Sequence, residues 1–422
     1  MPKSPIPLKQ FVMRFLRVLG VVSIFGMVSI AWGADWPQWR GPDRSGISSE
    51  TGWLGNWPAT GPKILWKKEI GRGFATMSVS NSRVYAMGNT AKSKSDANQK
   101  DVVFCFDADT GREIWKYSYD CPLLPRQHEG GPCATPTVSG QRVYTFSKEG
   151  HVHCLGTATG KKIWARNLQK EEGLKPPTWH FAGSPTIHGD LVLLNAGAGG
   201  TALDKNTGKT IWKSAGPGAG YSTPVIAKLN GKEIVGLFVQ KHFLGVDVKN
   251  GKQLFKFPWK TSWDVNSADP IFTGDTVFIS SGYGSGGAVL KIDGNNCSEV
   301  WRNKEMKNHM NSCVVWKGHI YGFDGQAGSG GALKCLNYQT GKPLWSQRGL
   351  GTGSLMLADG KLICLGNKGK LVIAEATTAG YKPLRQAQIL TGKCWTMPVL
   401  ANGKIYARNA AGTLVCVDPK GS

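Results

Sequence analysis

The chain has 422 residues, of which 41% are hydrophobic and 10 are Cys, so it is neither a disulfide-stapled miniprotein nor a disordered tail. It carries 51 Lys and Arg against 28 Asp and Glu, a formal charge of +23. The basic residues are scattered in pairs such as Lys67-Lys68 and Lys161-Lys162, which describes a solvated basic surface and argues against a dedicated nucleic-acid site.

Residues 1–33 read as an export signal. Lys3, Lys9, Arg14 and Arg17 form a positive n-region, Val18 to Trp32 is mostly apolar, and Ala31-Trp32-Gly33 offers small residues before Ala34. The apolar run is short for a spanning helix, so cleavage is expected and no transmembrane segment remains afterwards. Residues 34–61 have no period and are punctuated by Gly and Pro, but Trp36, Trp39 and Trp53 argue against disorder. This irregular segment is expected to clamp across the outside of the domain that follows.

From residue 62 to residue 422 the chain is a repeat array. Its clearest copy is Ala202-Leu203-Asp204-Lys205-Asn206-Thr207-Gly208-Lys209-Thr210-Ile211-Trp212. An apolar strand ends at Asp, whose short carboxylate bonds backbone N–H groups ahead of it; Thr assists, and Gly takes the left-handed backbone that closes the turn. Trp then sits on the return strand as a plug between sheets. Degraded copies place aromatic plugs at Trp66, Trp115, Trp164, Trp212, Phe255, Trp301 and Trp345, 43 to 49 residues apart, which is the length of a four-stranded propeller blade.

Second strands, counted independently, begin at Arg83, Arg142, Leu191, Glu233, Thr276, His319, Lys361 and Lys404, which gives eight. The chain stops at a third strand, Thr413 to Asp418, and begins with an orphan fourth strand at Ile64-Leu65-Trp66. Pairing the two closes the ring and leaves no free sheet edge. The expected fold is all-β, an eight-bladed β-propeller.

Cys105, Cys154, Cys335 and Cys416 fall at matching points of the repeat and read as small core residues. Cys121 and Cys133 flank an inserted loop at a position where a disulfide is conceivable. His151 and His153 share one face of a strand, but no third metal ligand is identifiable. Gly282-Tyr283-Gly284-Ser285-Gly286-Gly287 matches a dinucleotide fingerprint only by letter, because it joins two strands and opens no helix.

The repeat is similar to that of the pyrroloquinoline-quinone (PQQ)-like propellers, a superfamily that includes quinoprotein alcohol dehydrogenases and the non-enzymatic outer-membrane assembly factor B. The opening Trp36-Pro37-Gln38-Trp39-Arg40-Gly41-Pro42 resembles that of secreted PQQ-like repeat proteins. The resemblance spans about residues 62–418 and implies the fold; function does not travel with it. No two cysteines are adjacent here and no Cys-x-x-Cys-His is present, so the quinone-contacting disulfide and the haem of the dehydrogenases have no counterpart.

In a propeller, the loops leading into the inner strands and those joining second to third strands surround one mouth of the axial channel. On these loops the sequence places the candidate ligand-binding residues Arg126, His128, Trp179, His180, Tyr221, Trp263, Asp264, Asn266, His309, Asn311, Trp395 and Arg408. Convergent aromatics, cations and a few acids suit a small acidic or sugar-like ligand. Asp264, Asn266 and Asp269 beside His309 and Asn311 form the one oxygen-rich group that suits a hard cation such as calcium. The expected function is an exported, non-catalytic binding or assembly scaffold of the bacterial envelope, periplasmic or secreted and monomeric. Its expected partner is an envelope protein, a glycan or a small acidic ligand, with no nucleic acid and no resident cofactor. The alternative is a dehydrogenase of alcohols or sugars that uses PQQ and Ca²⁺.

Overall fold

Strands alternate with tight turns throughout, and they gather into eight antiparallel sheets, each of four consecutive strands apart from the last and from one added strand. The computed structural model describes residue 1 and residues 34–421, apart from residues 126–127, 215, 217 and 328–329. The expected export signal beyond Met1, and the candidate Arg126, lie outside the described residues. Among the described residues, no helix is long and apolar enough to cross a membrane.

The blades span residues 78–120, 137–167, 186–213, 225–258, 271–303, 314–348 and 354–388, numbered 1 to 7 in that order. Blade 8 joins Val399–Ala401, Lys404–Arg408 and Thr413–Asp418 to Lys63–Glu69 from the other end of the chain. Trp66 opposes Cys416 and Lys68 opposes Leu414 in that closing pair, so the ring is sealed as the orphan strands require.

The repeat turn does what its residues dictate. Asp204 Oδ1 accepts from the backbone N–H of Asn206 (3.0 Å) and Thr207 (2.7 Å) and from Thr207 Oγ1 (2.8 Å), while Gly208 takes φ +75°. The plug then crosses to the next blade. Trp164 lies against Gly208, where an added Cβ would stand 2.7 Å from its ring, and its indole N–H donates to Lys205 O at 3.0 Å. Trp66, Trp115, Trp212 and Trp301 dock in the same way, donating to Ala108 O, Thr157 O, Val248 O and Tyr338 O of the following turn. Blade 7 has Arg385 where a plug would stand, opposite Ile373. There Trp57, from the N-terminal segment, donates to Pro419 O at 2.6 Å and supplies the missing indole.

The N-terminal segment does not lie outside the ring, as expected from its lack of period. Ile47–Ser48 pairs in parallel with Ser354–Ala358, on the axial side of the innermost strand of blade 7. Trp36 bridges Val79 of blade 1, Pro37 O accepts from Val138 N of blade 2 at 2.7 Å, and Arg40 donates to Cys313 O beside blade 6 at 2.8 Å. The segment is therefore a loop inserted along the axis from the base, where Glu50 accepts from Ala34, Asn402 and Gly403 N–H groups and joins its two ends. An irregular chain is tolerated inside the ring because the inner strands supply its backbone partners.

Candidate functional site

The residues just before the inner strands form a hydrogen-bonded collar around the mouth of the channel. Thr76 N donates to Thr135 Oγ1, Thr135 N to Ser184 Oγ, Ser184 N to Thr223 Oγ1, Thr223 N to Asp269 Oδ1 and Asp269 N to Ser312 Oγ, at 2.8 to 3.2 Å. Each side-chain oxygen meets a backbone donor of the neighbouring blade, so the collar fixes blade spacing at the axis. Asp269 is the only carboxylate in this run of hydroxyls. Its second oxygen accepts the indole N–H of Trp39, and Arg40 Nε stands 3.8 Å away. Burial pushes its carboxyl up, opposed by Arg40, by the Thr223 N–H and by the Trp39 indole.

Arg40 is itself buried and lies at φ +63°. Its guanidinium is held by Arg44 O (3.0 Å), Ser45 O (2.9 Å) and Cys313 O (2.8 Å), so the tip of the inserted loop is pinned to the collar by a charge pair and a set of carbonyls.

Above this tip lies a cavity of about 210 Å³, floored by Trp39 and walled by Phe74, Trp179, Tyr221, Tyr283 and Trp395, with His128 and His309 among them. Phe74 and Trp395 stack at 5.3 Å, and Tyr283 meets His309 edge-on at 4.9 Å. Lys393 Nζ lies 4.5 Å over the Trp395 ring and pairs with Glu129 at 3.0 Å, so this cation is engaged at the rim. Burial lowers His309 to about 4 and also lowers His128, so both imidazoles are neutral at pH 7.

Five of the candidates read from the sequence line the cavity: His128, Trp179, Tyr221, His309 and Trp395. Of the other described ones, Asn266, Asn311 and Arg408 serve the scaffold. Asn266 is fully buried, donating to Val239 O and Gln240 O at 2.9 Å and accepting from Ser281 Oγ at 2.7 Å. Asn311 donates to Gly353 O at 2.7 Å, and Arg408 ties blade 8 to blade 1 through Gly71 O and Met87 O. His180 sits 3.1 Å from Glu149. Trp263 and Asp264 both take left-handed backbone on an outer loop, where Trp263 is 68% exposed. The oxygen-rich group read from the sequence is thus dispersed, and among the described residues no cluster of three or more His, Cys, Asp or Glu is placed to hold a metal. Cys121 and Cys133 are free thiols, with Cys121 buried 3.3 Å from the Lys148 ammonium.

Sequence reasoning missed Trp39, Phe74 and Thr396 as lining residues. The available signal for Trp39 was four tryptophans, Trp36, Trp39, Trp53 and Trp57, in a segment without period, which must be buried against something.

Residues 99–347 match the family model described as outer membrane protein assembly factor BamB. BamB of Yersinia pestis is 23% identical over 84% of this chain and 77% of its own length. The quinoprotein ethanol dehydrogenase of Pseudomonas aeruginosa is 29% identical over 34% of this chain, which spans only 23% of that enzyme's length. Among solved structures, BamB from Moraxella catarrhalis aligns with a TM-score of 0.59 at 14% identity, covering 84% of this chain and 96% of that one. Quinohemoprotein alcohol dehydrogenase from Comamonas testosteroni aligns at 0.64 and 15% identity, covering 92% and 81%. At such identities the structural likeness is one of fold, and both relatives carry the same propeller. With more than half of its length matched by the family model, the chain belongs to the BamB-type family of PQQ-like repeat propellers.

Proposed function

We propose that this chain is an exported, non-catalytic β-propeller scaffold of the bacterial envelope that binds its partner or ligand at the aromatic funnel. The observation that carries this reading is the state of Asp269, the one carboxylate among the described lining residues of the cavity, which is engaged by Trp39, Arg40 and Thr223. A carboxylate acting as general base or metal ligand must be free to meet the reacting group, and here the inserted loop occupies that of Asp269.

The relatives raise PQQ with Ca²⁺ as a cofactor, and the funnel does not fit that pair. Calcium takes six to eight oxygen ligands, whereas the side-chain oxygens of Asp269, Asn266 and Asn311 are held in bonds within the scaffold. An anionic quinone calls for unengaged cations, and no Lys or Arg is among the described lining residues. In sequence, BamB of Yersinia pestis is matched over 77% of its length and the quinoprotein ethanol dehydrogenase over 23% of its own, which also favours the scaffold.

The test is a dye-linked dehydrogenase assay of the chain purified from its native envelope, with added PQQ and Ca²⁺ and a panel of alcohols and aldoses. Absence of turnover and of calcium-dependent PQQ binding is expected. Turnover that requires both additions would overturn the scaffold reading. Fractionation of cells should recover the protein outside the cytoplasm.

A further inference from the structure

Three hydrogen-bonding atoms at the cavity have no partner among the described residues: Trp179 Nε1, His309 Nε2 and Thr396 Oγ1. His309 and Thr396 are more than nine-tenths buried. A buried polar atom left unpaired is destabilising because its lost water bonds are not replaced, so such atoms gathered on one cavity mark a place where something else completes their bonds.

Their polarity is determined. His309 Nδ1 accepts from Ala327 N–H at 3.0 Å, so the proton of the neutral ring sits on Nε2, which donates. His128 is set the same way, its Nδ1 accepting from Gly130 N–H at 3.0 Å. The indole N–H is a donor only, and the threonine hydroxyl serves either role. The cavity thus offers several donors, an aromatic wall and no free charge, since Asp269 is paired and the described lining residues include no Lys or Arg.

We infer that the funnel binds one neutral pyranose ring, whose hydroxyl and ring oxygens accept from Trp179, His309 and Thr396 while its C–H faces pack against Trp39 and Trp395. This inference rests on the scaffold reading and names its ligand class. A hydroxylated saturated ring combines peripheral oxygen acceptors with apolar faces, which matches the wall and the donors together. A small carboxylate would find no Lys or Arg among the described lining residues. The cavity is smaller than the roughly 300 Å³ at which pockets for drug-sized ligands begin, so it takes a single ring; being open at the mouth, it admits a free monosaccharide or the end of a glycan chain.

The experiment titrates the mature protein, followed by tryptophan fluorescence and saturation-transfer NMR. Its probes are glucose, galactose, mannose and N-acetylglucosamine, with maltotriose and chitotriose as chain ends and gluconate as the anionic control. Saturable binding of a neutral sugar is expected, with none of gluconate. Binding of a free sugar assigns the site to monosaccharides; binding of an oligomer alone assigns it to glycan termini. Thr396→Val should weaken binding roughly three- to tenfold, the value of one hydrogen bond, and Trp395→Ala at least tenfold. Because Thr396 Oγ1 has no partner among the described residues, Thr396→Val should leave the thermal midpoint unchanged or raised, which separates lost contact from lost fold. No neutral sugar bound at tens of millimolar, stronger binding of gluconate, or unaltered affinity in Thr396→Val would overturn the inference. The scaffold reading falls separately, through dehydrogenase turnover, whatever the sugars do.

Discussion

Asp269 shows how one substitution in a repeated position redirects a site. Five other collar positions in the run carry Ser or Thr; the hydroxyls of Thr135, Ser184, Thr223 and Ser312 each accept one neighbouring N–H, and that of Thr76 donates to Met397 O. A carboxylate there keeps that bond and has a second oxygen left for the inserted loop. Asp269→Asn should leave Arg40 buried without its counter-charge and cost about 3–5 kcal/mol, read as a lowered urea midpoint. Replacing Arg40 and Asp269 together, by Met and Ser, should recover most of that loss.

The buried histidines set a pH signature. Burial holds His309 at about 4 and His153 at about 3, both below the ordinary 6.5, so between those values the unfolded chain binds protons that the folded one does not. Stability therefore falls as pH drops from about 6.5 towards 4, above the range in which most carboxylates titrate. Urea midpoints measured across that interval should decline in the wild type and decline less in His153→Phe. At the alkaline end, burial alone would depress the Lys148 ammonium, but Asp101 at 3.0 Å and the Cys121 thiol outweigh it and raise its pKa. Its contribution is complete below the ordinary lysine value of 10.5 and is lost only at higher pH.

At the scale of single elements, the blade hairpin is a local object, and its sequence says so. Asp, Thr and Gly within five residues define the turn, and the indole that follows reaches the next turn along the ring. Gly208→Ala combines a Cβ at φ +75° with a clash at 2.7 Å against Trp164, so it should cost roughly 1–3 kcal/mol. The same change at Gly294 meets no atom within 4 Å, and φ +60° is its only penalty. Phe255, which has no indole N–H, precedes that turn, so the receiving groove is absent where the plug is reduced. Comparative denaturation of the two variants would separate docking from backbone strain. Turn chemistry, blade count and ring closure were legible because short-range bonds and a fixed period encode them. The inserted loop was not, because its path is set by the walls of the channel, which no local pattern in residues 34–61 describes. The candidate site fell between these cases: loop topology identified His128, Trp179 and Trp395 as funnel residues. It gave no means of separating them from Asn266, Asn311 and Arg408, since amide and guanidinium groups bond backbone carbonyls as readily as a ligand.

At the scale of the whole molecule, the ring is fastened twice. Lys63–Glu69 completes blade 8, and the inserted loop contacts inner strands around the axis while Trp57 fills the seam between blades 7 and 8. A chain beginning at Pro62 keeps the first fastening and loses the second. It should remain β-rich by circular dichroism, unfold at a lower temperature, and lose sugar binding along with the Trp39 floor. Retention of full affinity in that truncated chain would show that the floor is dispensable.

The inserted loop also makes the funnel sensitive to mechanical load. Ala34 is tied at the base by Glu50, and Trp39 at the cavity floor is only five positions further on, about 17 Å of extended chain. Tension applied at Ala34 would run along the axis to Trp39 and Arg40, drawing on the Asp269 contacts, whereas the closing strand at Lys63 lies beyond the loop and is shielded until the loop has pulled free. The floor of the binding cavity would then act as a pull-cord, yielding before the ring does.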